Sequence, residues 1–121
     1  MHAQDRREAR RAYKETPRPM GILQIRNLVN RRTLLIRAID LPARINRERA
    51  QLRLGAHHHA ALQADWRQLG ADAFAFEVLD TLTPPEDLVG YDAAAELAVL
   101  EELWVERITA ADGHPGYLSA V

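Results

Sequence analysis

Three groups of residues in this chain could do chemistry. Glu101 falls inside an apolar stripe made of Leu97, Leu100, Trp104, Val105 and Ile108. A carboxylate there is costly unless it is paired, hydrogen-bonded or metal-bound. It is therefore a candidate metal ligand; the plainer alternative is a carboxylate that snorkels to water or pairs with Arg44. His57, His58 and His59 are consecutive. On a helix such side chains diverge by about 100°, so the three cannot all face one metal, and helical ligands would be spaced i, i+4. The expectation for the run is a solvated helix start. The third group is a set of arginines, Arg26, Arg31, Arg32, Arg37, Arg44 and Arg47, whose planar forks suit phosphate oxygens.

The charge balance sharpens that last point. The 121-residue chain has a net charge of −1. Residues 1–54 hold 14 Arg and Lys against five acids, whereas residues 55–121 hold two against 12. Such asymmetry points to a basic face for phosphate or an acidic partner, or to neutralisation of one half by the other. With no cysteine, a disulfide framework and a thiolate metal site are excluded, which suits a reducing cytoplasm. No apolar run approaches a membrane span, and "MHAQDRREARRAYKETPRP" lacks the apolar stretch of a secretory signal.

These residues must be positioned by a small number of elements. Residues 1–19 read as a basic N-terminal arm or short helix, broken by "TPRPMG" because proline lacks a donor and restricts its predecessor. "GILQIRN" and "TLLIRAI" read as two strands, joined by a turn at "LVNRR" with Asn30 as the expected φ > 0 residue. "DLPARINRERAQLRLG" reads as a helix capped by Asp40, with Pro42 in its first turn and Gly55 at its end. A second helix over "HHHAALQADWRQLG", a third strand over "AFAFEVLDTL" and a long helix over "YDAAAELAVLEELWVERI" follow. The tail "TAADGHPGYLSAV" reads as a loop, and Trp66 and Trp104 as core. The order ββααβα predicts an α+β fold, a small antiparallel sheet of three strands flanked by helices.

On these residues the chain resembles the GIY-YIG domain of certain homing endonucleases and repair nucleases; the resemblance spans about residues 20–118 of an expected domain over 20–121. Gly21-Ile22-Leu23 stands where Gly-Ile-Tyr is expected, and Leu34-Leu35-Ile36 where Tyr-Ile-Gly is expected. "LPARINR" matches the helix that carries the family arginine, at Arg44. His57 matches a histidine that follows that helix. Glu101, three residues before Trp104, matches the metal-binding glutamate, and Gly116-Tyr117-Leu118 stands where the family ends in a Gly-Tyr-Asn type motif. Four positions depart, namely Leu23 and Leu34 for the tyrosines, Ile36 for a glycine and Leu118 for the asparagine.

The resemblance implies metal-dependent phosphodiester hydrolysis, with catalytic positions at Arg44, His57 and Glu101 and a Mg²⁺ or Mn²⁺ ion on Glu101. The ion stabilises developing charge, the arginine clamps phosphate, and a tyrosine serves as base or relay. Leucine has no proton to exchange, and Tyr13, Tyr91 and Tyr117 lie off the hairpin. Loss of a positioned base costs about 10²–10⁴-fold. The expectation is thus a degenerate, weak or inactive nuclease acting as a nucleic-acid-binding module, with DNA favoured over RNA. Phosphate would meet Arg26, Arg31, Arg32, Arg37 and Arg47. Two alternatives stay open: an active endonuclease with a non-standard base, and a protein-interaction module that docks a partner through its acidic last helix.

Overall fold

A computed structural model describes residues 19–87, 89–112 and 116–119. The arm expected over 1–19 lies, apart from Pro19, outside the described residues. Strand β1 (Met20–Asn27) and strand β2 (Thr33–Ala38) form the expected antiparallel hairpin, with Leu23 opposite Ile36 and Ile25 opposite Leu34. Strand β3 (Phe74–Leu82) pairs antiparallel to the other side of β1. A two-residue strand β4 (Leu118–Ser119) adds to β2 in parallel, giving the order β3-β1-β2-β4. The tail is therefore not wholly loop, because the free edge of β2 is a row of unpaired donors and acceptors that two more residues can satisfy.

The turn differs in one detail from expectation. Arg31, not Asn30, takes the left-handed conformation, with φ 64°. Asn27 and Asn30 instead give their side chains to the turn. Asn27 Oδ1 accepts from the amides of Val29 and Asn30, and Asn30 Oδ1 accepts from the amide of Arg32. An asparagine whose oxygen mimics a backbone acceptor serves better in that role than at the strained position.

Helix α1 (Leu41–Leu54) begins at Asp40, whose side chain accepts from the Ala43 amide, and ends at Gly55 with φ 74°. Helix α2 (Ala60–Leu69) starts later than expected, so the histidine run precedes it and His59 is its N-cap. Helix α3 (Ala93–Asp112) is the longest. Period-two alternation splits the hairpin between two faces. Leu23, Ile25, Leu34 and Ile36 form the main core with Leu41, Leu52, Leu62, Trp66 and Phe74. The other face presents Ile22, Gln24, Leu35 and Arg37 toward α3, which places Leu97 and Glu101 in buried positions. The rest of the expected stripe of α3, including Trp104, is only half-buried. Trp104 Nε1 donates to Asp80 Oδ2 at 3.0 Å, tying α3 to β3.

Gly21 explains itself in this frame. A Cβ there would lie 1.9 Å from the Asp80 carbonyl oxygen, so the close approach of β1 and β3 requires a residue without one. The register shift between Ile22 and Leu23 falls beside it, as a bulge that re-aims the strand end. No helix among the described residues is long and apolar enough to cross a membrane.

Candidate functional site

A cleft of about 440 Å³ opens where the end of β2, the start of α1 and the start of α3 converge. Its walls include Arg37, Arg44 and Arg47, together with the apolar Ala38, Ile39 and Leu97. Asp40 also lines it, but its carboxylate caps α1 by accepting from the Ala43 amide at 3.2 Å. The lining thus carries three guanidinium groups and one carboxylate, and this excess of positive charge beside apolar walls favours an anion.

Arg44 does not pair with Glu101, as the sequence suggested. It donates from Nε to Glu48 Oε1 at 2.9 Å, one helical turn away. Glu48 is fully buried, and its other oxygen accepts from His57 Nε2. Burial raises the Glu48 carboxyl's affinity for its proton, but the bonds from His57 and Arg44 outweigh that and hold it below the ordinary carboxylate range. Helix propensity and charge pattern both allow a glutamate here. Its signal in the sequence is that it is the single acid in the arginine-rich segment 41–54, four residues from Arg44.

The three histidines do three different things instead of forming one solvated helix start. The His57 side chain is fully buried. Its Nδ1 accepts from the His59 amide at 3.0 Å, so the ring proton of the neutral form is on Nε2 and is donated to Glu48. Gln63 fixes the same residue by accepting from the His57 amide at 3.0 Å, and donates to the Leu52 carbonyl at the end of α1. His59 caps α2 through Nδ1 and reaches the Tyr117 carbonyl through Nε2, 3.2 Å away. His58 is exposed and stacks on His57 with ring centroids 4.4 Å apart. Desolvation and the neighbouring His57 ring keep it below the usual imidazole range.

Glu48, His57 and His58 form the cluster of possible metal ligands among the described residues. Two imidazoles and a carboxylate are a donor set that transition metals accept. The hydrogen bonding does not fit an ion there. Coordination through His57 Nε2 would move the ring proton to Nδ1, against the His59 N–H, and the carboxylate already carries the Arg44 guanidinium.

Glu101, the expected Mg²⁺ or Mn²⁺ ligand, is buried on α3 with Oε2 3.4 Å from Arg37 Nη1. A carboxylate facing a guanidinium is a poor first ligand for a hard divalent cation, which would have to abut or displace the arginine. The residues around Glu101 therefore do not fit the ion that the resemblance implied.

The arginines divide between two places. Arg37, Arg44 and Arg47 line the cleft. Arg31 and Arg32 are exposed in the turn at the far end of the hairpin, roughly 17 Å of strand away. Arg32 lies 4.0 Å from Asp65 and over the Tyr117 ring. Arg26 is half-buried on β1. Leu23 and Leu34, at the signature tyrosine positions, are fully buried in the main core, and Ile36 beside them is buried as well. Tyr117 is also buried, its hydroxyl accepting from Asn27 Nδ2 at 3.1 Å and donating to Asp65. Desolvation, then the Asp65 hydrogen bond, push its phenol up.

No family model matches the chain, and no curated protein sequence does. Among solved structures it is similar to the catalytic domain of the homing endonuclease I-TevI. They share 22% identity over 84% of this chain and 98% of that domain, with a TM-score of 0.63. A glutamate-to-alanine mutant of the catalytic domain of intron endonuclease I-TevI aligns at 22% identity over 76% of this chain and 82% of that one, with a TM-score of 0.55. The chain has a GIY-YIG-like fold.

Proposed function

We propose that this domain is a degenerate GIY-YIG fold that binds nucleic acid through the phosphate backbone and cleaves it weakly or not at all. The observation that carries the reading is the full burial of Leu23 and Leu34 in the main core. Where the family resemblance expects hydroxyls to move a proton, this chain has packed hydrocarbon. His57 supports the same reading, because both its ring nitrogens are engaged inside the fold and neither is free to take a proton from water. What remains is the electrostatic part of the site, with three arginines around one cleft. Backbone phosphates are the ligand such a cleft favours, DNA ahead of RNA.

A second reading is favoured by the same cleft. Arg44 is placed to clamp a phosphate, and an active endonuclease would need a Mg²⁺ or Mn²⁺ ion on Glu101 with Arg37 swung aside. One experiment separates the two. Fluorescence anisotropy with labelled single- and double-stranded DNA and RNA, across a salt series, should show weak binding with little sequence preference. Binding should weaken as salt rises through counterion release. The same oligonucleotides incubated with either metal should stay intact. Turnover that disappears in Glu101→Ala would establish the enzyme instead. No binding at low salt would leave the acidic face of α3 and a protein partner as the better account.

A further inference from the structure

We infer that Glu48, held by His57, is a positioning residue for Arg44: it fixes the guanidinium over the cleft with its outer edge free for a phosphate. The inference rests on the reading of the cleft as a phosphate site and adds the device that prepares it.

The geometry runs outward from the core. Gln63 and the His59 amide pin His57 at its backbone and at Nδ1. His57 donates from Nε2 to one oxygen of Glu48. The other oxygen takes Arg44 through Nε, 2.9 Å away. Glu48 and Arg44 leave α1 on one face because four residues make about one turn. A fully buried carboxylate is costly unless it is paired, and here each oxygen has its own donor.

The choice of Nε matters. Bonding at Nε fixes the guanidinium plane and leaves both terminal nitrogens without a protein partner among the described residues. Arg44 is part-exposed and lines the cleft, so those nitrogens can offer a two-pronged donor edge to phosphate oxygens. An arginine already held this way loses less side-chain freedom on binding than a free surface arginine does. Lysine could not replace it. Lysine has one charged nitrogen, and Glu48 would draw that nitrogen inward.

The test uses a fluorescein-labelled oligonucleotide at low salt, and a double-mutant cycle. Arg44→Ala should weaken binding about tenfold and reduce the salt slope by about one. Glu48→Gln should do the same. The double variant should bind no more weakly than Arg44→Ala alone, because Glu48 acts only through Arg44. Additive losses, or unchanged binding in Glu48→Gln, would overturn the inference. Arg44→Lys, which leaves the core untouched, keeps the test sharp if Glu48→Gln folds poorly. It should bind as weakly as Arg44→Ala, and full binding by the lysine variant would show that Arg44 is an ordinary surface charge.

A readout without ligand separates this inference from the reading it rests on. In ¹⁵N NMR spectra the wild type should show a resolved, exchange-protected Arg44 Nε–H. That signal should merge with the exposed arginines in Glu48→Gln. If it is present but no oligonucleotide binds, the positioning stands and the nucleic-acid reading falls. If it is absent from the wild type, the positioning falls.

Discussion

Arg37 and Glu101 meet across the interface between β2 and α3, with the guanidinium nitrogen 3.4 Å from a carboxylate that is buried while the arginine stays half-exposed. The pair occupies the position where the resemblance expects a divalent ion. Added Mg²⁺ or Mn²⁺ should therefore leave the melting temperature unchanged. Arg37→Ala takes the guanidinium away from the carboxylate, and a metal that binds there should then stabilise the native state by mass action, about 2.7 kcal/mol at a hundredfold excess over Kd, read as a higher melting temperature. Adding Glu101→Gln to that variant should remove the gain. A metal-dependent rise in the wild type that Glu101→Gln abolishes would make Glu101 a working ligand.

Tyrosines cannot simply be placed at the two positions where the resemblance expects them. Leu23 and Leu34 are fully buried among Ile25, Ile36 and Leu41. A tyrosine at either site adds a ring and a hydroxyl to a filled space. Overpacking of this kind costs about 1–3 kcal/mol, and more where the hydroxyl finds no partner. Leu23→Tyr and Leu34→Tyr should each lower the urea midpoint, with no cleavage gained. A tyrosine variant that is as stable as the wild type and cuts DNA would show that the site is merely disabled, not refilled.

Much of the fold was legible because its signals are local. Alternation marks β1 and β2, and Asp40, Pro42 and Gly55 mark α1 within a residue of its observed ends. The short strand β4 was not legible, because two residues carry no period and their pairing is decided by a free edge more than 80 residues away in sequence. The candidate site offers more of its residues than of their connections to a reading of the sequence. Arg44, His57 and Glu101 stand out in the sequence, yet Glu101 faces Arg37, and Arg44 and His57 meet on Glu48. A single glutamate among arginines reads locally as charge balance. That it is buried depends on how the loop carrying His57 folds back over α1, which spacing alone does not reveal. The histidine run misled for a related reason. A helical period does not apply to residues that lie before the helix, where backbone geometry lets His57 turn inward and His59 cap.

Gly21 should tolerate no side chain. Its missing Cβ would fall 1.9 Å from the Asp80 carbonyl oxygen and 2.8 Å from the Thr81 Cα, both backbone atoms that no rotamer change can move. Gly21→Ala must push β3 away from β1 and break the pairing around Ile22 and Asp80. The expected cost is about 2 kcal/mol or more, in the range of strained backbone and lost ladder bonds together. Hydrogen exchange should show the loss concentrated at the Met20–Leu82 end of the sheet. An alanine variant with unchanged stability and protection would mean that the two strands pack more loosely than this.

Glu48 should also set part of the acid stability. Its folded carboxyl is held below the ordinary value of 4.5; burial opposes this, but the His57 and Arg44 bonds prevail. Near and below that value the unfolded chain binds a proton that the native chain refuses, so native stability rises with pH there. The contribution is therefore fully present above the unfolded value and is lost as pH falls through the lower folded one. Glu48→Gln removes the titration and leaves a neutral amide that cannot accept from both donors at once. At neutral pH the variant should be less stable by about 1–3 kcal/mol, the cost of stranding a buried donor. The difference between wild type and variant should shrink as pH drops below about 4.5, because protonated Glu48 resembles the amide. Urea unfolding at a series of pH values measures this difference directly. A difference that stays constant from neutral pH to pH 3 would mean that Glu48 is not ionised in the native state, and that its bonds to His57 and Arg44 are not those of a carboxylate.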